Sequence, residues 1–161
     1  MPNKVYRAID SPITFKDSGG SAVITLQNLA TGAARYSSRY DRGVGSQPFI
    51  YRWRAVFQWA ATPVAGQFAE IYIAESDGTY ADGVIGTTDA AIQSGMLWNL
   101  NLIGVNFIQS ASAATNMIAS GECEIIDRYF SLAVYNRAAV GFQNTANVNC
   151  VIFTPISHEL Q

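Results

Sequence analysis

Between Phe49 and Ala60 the chain reads Phe-Ile-Tyr-Arg-Trp-Arg-Ala-Val-Phe-Gln-Trp-Ala. Every second position (Phe49, Tyr51, Trp53, Ala55, Phe57, Trp59) is aromatic or alanine, and the positions between hold Ile50, Arg52, Arg54, Val56, Gln58 and Ala60. Successive side chains of a strand point to opposite faces, so the alternation predicts a β-strand with one aromatic side. A helix would scatter the same rings around its circumference. At about 3.3 Å per residue the stretch would span about 40 Å, roughly twice the usual strand, which predicts a bend or a projecting end. The aromatic side is expected to form the core between two packed sheets. A stacking platform for sugars or bases is the competing use of those rings.

Around this strand the remaining pattern is also strand-like. Residues 1–20 read as an arm of mixed polarity ending in Asp17-Ser-Gly-Gly20, in which only 12–16 alternates. In 21–29, Ala22, Ile24 and Leu26 share one side, and Thr31-Gly32 supplies a turn signal. Residues 67–75 have two largely apolar sides, Phe68, Tyr72 and Ala74 opposite Ala69, Ile71 and Ile73, which suits a central or interface strand. Residues 76–83 carry turn chemistry. The stretch 89–95 predicts one helical turn, capped by Asp89 and stopped by Gly95. In 97–102, Trp98, Leu100 and Leu102 are expected inward. The phase then changes by one residue at Gly104, which predicts a β-bulge there. Strands over 117–126, 129–135 and 148–153 complete a set of about eight. This predicts an all-β fold, an antiparallel β-sandwich over 21–161 preceded by the arm 1–20. The pattern alone does not separate Greek-key from jelly-roll order.

The chain has 161 residues, one domain's length, enough to bury a core without metal or disulfide support. Only 14% of its residues are charged, so part of the surface is expected to lie against partners. A net charge of -2 argues against a nucleic-acid module, whose phosphate contacts require a basic domain. No apolar run reaches the roughly 20 residues of a membrane helix. The opening residues lack the apolar stretch of a secretory signal, so synthesis and folding in a cytoplasm are expected. Cys123 and Cys150, in apolar strand-like runs, are then expected as buried free thiols.

The catalytic inventory is poor, and no enzymatic activity, cofactor or metal is expected. His158, the single histidine, stands near the C-terminus beyond Pro155 and reads as a solvated tail residue. No P-loop, Cys-x-x-Cys, His-Glu-x-x-His or Gly-x-Ser-x-Gly pattern occurs. Glu122 and Glu124 share one strand face, where a solvated pair outweighs a glycosidase pair. Asp77, Asp82 and Asp89 flank a Gly-rich loop without EF-hand spacing.

Charge placement is uneven. Arg35, Arg39, Arg42, Arg52 and Arg54 lie between Ala33 and Ala60 against the single acid Asp41. Glu70, Glu75, Asp77, Asp82 and Asp89 follow between Phe68 and Asp89 with no base. Arginine outnumbers lysine eight to two, which favours ordered bidentate contacts. Two opposed segments can meet head to tail between copies and close a ring such as a trimer, or pair within one chain. The first reading makes Arg35, Arg39, Arg42, Arg52, Arg54, Glu70, Glu75 and Asp77 the candidate protein interface.

The closing third carries one resemblance. Tyr129-Phe-Ser-Leu-Ala-Val-Tyr-Asn136, then Gly141 and Ala146, then Val151-Ile-Phe-Thr-Pro-Ile-Ser-His-Glu-Leu-Gln161, resembles the end of the small jelly-roll cement (decoration) proteins of tailed bacteriophages. There a strand ending in Asn leads through a small-residue turn to a last strand that closes in Thr-Pro and a short acidic-apolar tail. The resemblance implies a jelly roll, a homotrimer on the capsid exterior, the major capsid protein as partner, and no direct contact with nucleic acid or membrane. It transfers no site residues. Two rivals share the composition: a carbohydrate-binding module or tail-associated lectin, and a tail or baseplate component. Three buried tryptophans would favour the structural role, and two exposed coplanar ones the sugar reading.

Overall fold

The aromatic alternation of the central stretch forms strand β6 (Ile50–Phe57), in which Tyr51, Trp53, Ala55 and Phe57 are buried while Arg52 and Arg54 face out. Trp59, beyond the strand's end, is also buried and bridges to Phe142. Phe49 departs from the pattern at 59% exposure: the ladder with the neighbouring strand ends at Ile50, so Phe49 lies past the edge of the core. The computed structural model describes residues 5–45, 47–79, 81, 82, 86–92 and 94–160, and only the backbone of 5–9, 94 and 158–160.

The other strands, in chain order, are β1 (Val5–Ile9), β2 (Ile13–Lys16), β3 (Ala22–Val23), β4 (Ala34–Tyr36), β5 (Tyr40–Asp41), β7 (Phe68–Ser76), β8 (Ala90–Ile92), β9 (Asn101–Phe107), β10 (Met117–Glu124), β11 (Tyr129–Asn136) and β12 (Cys150–Leu160). They build two six-stranded sheets. Sheet A has the order β10-β6-β12-β2-β3 with β1 also on β12, and sheet B the order β8-β4-β11-β7-β9 with β5 also on β11. The antiparallel pairs β7·β9, β6·β10, β4·β11 and β2·β12 are nested around the β7–β9 connection. A chain folded back on itself in that way and rolled into two sheets is a jelly roll. Eight principal strands form the roll, but they are not the expected eight: β4 stands among them, and the strand expected over 21–29 does not. The short β1, β3, β5 and β8 raise the total among the described residues to twelve, because brief bridges at the rims extend both sheets.

Aromatic rings fill the space between the sheets. Phe15, Phe130 and Phe153 pack with centroids 5.5–5.6 Å apart, and Phe57 and Trp59 meet Phe142 at 4.9 and 5.3 Å. Trp53 lies against two glycines: a Cβ on Gly104 would come within 2.4 Å of its ring, and one on Gly121 within 2.8 Å. The phase change near Gly104 is a register shift in β7·β9, where Ile71 faces Gly104 and Tyr72 faces Leu102, leaving Ile103 as the extra residue.

Three local expectations are corrected. The helical turn over 89–95 is absent: β8 occupies Ala90–Ile92, and a 3-10 turn follows at Ser94–Asn99. Asp89 caps no helix, because its carboxylate is held by Thr25 and Arg35. The strand expected over 97–102 starts at Asn101, so Leu97 and Leu100 are buried while Trp98 is 90% exposed and Leu102 half-exposed. Leu97 and Leu100 join Tyr72, Ala74, Ile92, Ala133 and Tyr135 in a second, smaller core on the outer side of sheet B. That lid explains why β7 and β11 are apolar on both sides.

The arm divides. Ile13 and Phe15 belong to the core, so the sandwich begins at β2, whereas β1 runs antiparallel to the last residues of β12, from Ile9↔Ile156 to Val5↔Leu160. In 21–29 only Ala22–Val23 forms a strand. Ile24 and Leu26 are nevertheless buried, since Asp17 takes the backbone N–H groups of Leu26 and Gln27 that a ladder would otherwise satisfy.

Candidate interaction surface

The arginines of the basic segment have separate fates. Arg35 on β4 grips Asp89 through Nε and Nη2 at 2.5 and 2.6 Å, and Thr25 donates to the same carboxylate through its hydroxyl at 2.6 Å. The hydrogen bond to Asp89 raises the Arg35 pKa. Burial pushes Asp89 up, but the bonds from Arg35 and Thr25 outweigh it and leave the carboxyl below its ordinary value. Arg39 stacks over the Tyr129 ring at 4.3 Å. Arg42 is buried at 7% exposure, and among the described residues no carboxylate pairs with it. Its guanidinium donates to Tyr51 Oη and to the carbonyls of Ile125, Asp127 and Pro48, joining the 42–48 loop to the β10–β11 connection. A planar fork of five donors suits that closure, and an ammonium would not reproduce it.

Arg52 and Arg54 remain on the open outer face of sheet A, where Arg52 stands opposite Glu122 on β10 and Thr154 on β12. In the acidic segment Glu70 pairs with Arg137 at 2.9 Å and accepts from Tyr72 Oη at 2.8 Å. Burial and that carboxylate push Tyr72 up to about 12. Glu75 accepts the backbone N–H groups of Ile126 and Asp127, and Asp77 accepts that of Thr79. Arg128 holds Asp41 in a two-bond pair, which with the Gly43 N–H lowers Asp41 to about 2. The structure therefore brings the two segments together within the chain at Arg35–Asp89, and it leaves Arg52 and Arg54 on an outer face.

The apolar surface is more concentrated. Val44, Phe49 and Ile126 are 79%, 59% and 66% exposed, and with Arg128 they line one open groove of about 410 Å³. Val44 sits between Gly43 and Gly45 at φ 89° and 100°, left-handed positions that turn the loop outward. Gly-Val-Gly was the available sequence signal for this display. Ile126 follows the fully buried Ile125 and faces the other way as the chain leaves β10. On another face Trp98 projects from the 3-10 turn, whereas Trp53 and Trp59 are buried.

Among the described residues no group of three His, Cys, Asp or Glu side chains could hold a metal, and no helix is long and apolar enough to cross a membrane. Glu122 and Glu124 are exposed on the outer face of β10. The His158 side chain lies outside the described residues. Cys123 and Cys150 are free, half-buried thiols; burial, then Glu75, pushes Cys123 up to about 12, and burial also raises Cys150. Thiols so placed are protonated near neutral pH and poor nucleophiles.

No family model and no curated protein matches the chain. Among solved structures it is similar to the EclA C-terminal domain, a sugar-binding protein, at 9% identity and a TM-score of 0.31, over 100% of this chain and 79% of that one. At that score the likeness carries no weight for function.

Proposed function

We propose that the protein is a non-enzymatic structural component of a phage virion, synthesised in the host cytoplasm, which seats as a homotrimer on the capsid exterior and clamps neighbouring major capsid proteins. The observation that carries this reading is the trio Val44, Phe49 and Ile126, more than half exposed around one groove. Apolar display of that kind marks a surface covered by a partner during the protein's working life. The resemblance of residues 129–161 to cement proteins selects the class of partner. Asn136, which ends the resembling strand, is fully buried. Its amide binds the carbonyls of Leu29, Ala30 and Val140, and its oxygen accepts from Ala138 N–H. The motif residue thus closes the fold and leaves recognition to surfaces.

The test is co-sedimentation with purified particles. Val44→Ser together with Ile126→Ser should abolish binding while leaving the melting temperature within a few degrees of wild type. Undiminished binding would remove this groove from the account. A second reading, carbohydrate binding, is favoured by Trp98 at 90% exposure. It requires glycan-array signals that Trp98→Ala removes. Immunogold labelling of particles separates a capsid from a tail or baseplate position.

A further inference from the structure

Sheet A does not end squarely. At the row Glu124, Ile50, Ile156 and Ile9 both β10 and β6 stop, yet β12 continues to Leu160 with β1 beside it. The result is a two-stranded ribbon whose root is fixed by Asp10 N–H to Pro155 O at 3.3 Å and Ser157 Oγ to Asp10 Oδ2 at 2.6 Å. Both outer edges of this ribbon lack a strand partner among the described residues: β1 pairs only with β12, and β12 past Ile156 pairs only with β1.

Backbone alternation identifies the groups at those edges. In an antiparallel ladder a residue directs both its N–H and its C=O to the same side, and its neighbours direct theirs to the other. Because Pro155 O faces Asp10, the pairs Ala8↔Ser157 and Tyr6↔Glu159 carry the ribbon's own bonds. The backbone groups of Val5, Arg7 and Ile9 then face outward from β1, and those of His158 and Leu160 face outward from β12. The β12 edge opens onto a notch of about 450 Å³ bordered by Pro48, Phe49, Ile50, Glu124 and Ser157. β12 outruns β6 by four residues, 157–160, and the notch lies where that overhang begins.

We propose that the occupant is β1 of a second copy of this chain, added as the next strand of sheet A. Three features favour this occupant. Each copy carries one outward edge of five residues and one of four, whose outward backbone groups recur at the same two-residue spacing. The two edges lie on opposite sides of one ribbon, so each junction uses a different edge of each copy. The added strand takes the row in which β6 stops, on the side of β12 away from its own β1, and covers Phe49 at the notch. Unpaired strand edges are templates for such addition, and head-to-tail junctions of unlike edges close into rings. The inference supplies the contact behind the proposed homotrimer and concerns the free protein, independently of any shell.

The test uses proline, which removes an N–H from an edge without disturbing bonds on the other side. Arg7→Pro blocks the β1 edge and His158→Pro the β12 edge, while the ribbon's own pairs survive. Wild type should form a closed oligomer by sedimentation velocity at micromolar concentration, and each variant should be a monomer with an unchanged far-ultraviolet circular dichroism spectrum. An equimolar mixture of the two variants should yield a one-to-one dimer, because each retains the edge the other lacks. Ser157→Pro, which breaks the ribbon itself, should also abolish assembly. A monomeric wild type, proline variants that assemble like wild type, or a mixture that stays monomeric would each overturn the proposal. Oligomers that form as described but fail to bind particles would count against the cement reading and leave this contact standing.

Discussion

Trp53 shows how single residues set this fold. Its ring fits only because positions 104 on β9 of one sheet and 121 on β10 of the other are glycine. Gly104→Ala should cost about 1–3 kcal/mol by overpacking. Trp53→Phe, which shortens the ring, should recover part of that loss in a double-mutant cycle measured by urea denaturation. Additive effects would show that the clash is relieved elsewhere. Asp89 illustrates the electrostatic counterpart. Its folded pKa lies below its ordinary value, so the Arg35–Asp89–Thr25 cluster stabilises the fold above the unfolded carboxylate range near pH 4 and loses that contribution as pH falls through the folded value. Thermal melts of wild type and Asp89→Asn should therefore be well separated at neutral pH and converge on acidification. A constant gap would show that the charge of Asp89 plays no part.

At the scale of elements, the second core is what distinguishes this jelly roll from an open sandwich. Leu97 and Leu100 clamp the 3-10 turn to the outer side of sheet B, while Trp98 between them faces solvent. Leu97→Ala should cost about 2–5 kcal/mol and Trp98→Ala less than about 0.5 kcal/mol in chemical denaturation. The reverse order would mean that the turn packs through its tryptophan. The same turn marks where sequence legibility ends. Trp98, Leu100 and Leu102 alternate like a strand, but the residues that are buried, Leu97 and Leu100, are three apart, the repeat of a 3-10 turn. Period-two alternation located β6, β7, β10 and β11, since each buries a continuous row against the core. It missed β1 and β8, five and three residues long, which are too short to show a period. It also placed Ile24 and Leu26 on a strand where Asp17 substitutes for one. Of the candidate interface, the charge asymmetry was visible in the sequence, but its resolution into Arg35–Asp89 and a carbonyl-bound Arg42 depends on which loops meet. The exposure of Ile126 beside buried Ile125 likewise depends on where β10 ends.

For the whole molecule, a jelly roll built around β6 carries an apolar groove and a projecting two-stranded ribbon, the two features on which the proposed seating on a shell and the proposed contact between copies rest. Individual surface ion pairs are worth roughly 0–1 kcal/mol, so removing Arg52 or Arg54 singly should matter little. Several copies of a weak contact on one oligomer bind far more firmly than one. Arg42→Ala, by contrast, should lower stability through its loop anchors, so loss of particle binding in that variant would reflect folding. The central claim is that this protein holds a capsid together, and its most direct test is thermal release of packaged DNA. Particles lacking the protein should be heated with a fluorescent DNA dye, bare and after adding back purified protein. Decorated particles should release DNA at a distinctly higher temperature, and Val44→Ser/Ile126→Ser protein should give the bare-particle value. Release at one and the same temperature from bare and decorated particles would contradict the claim.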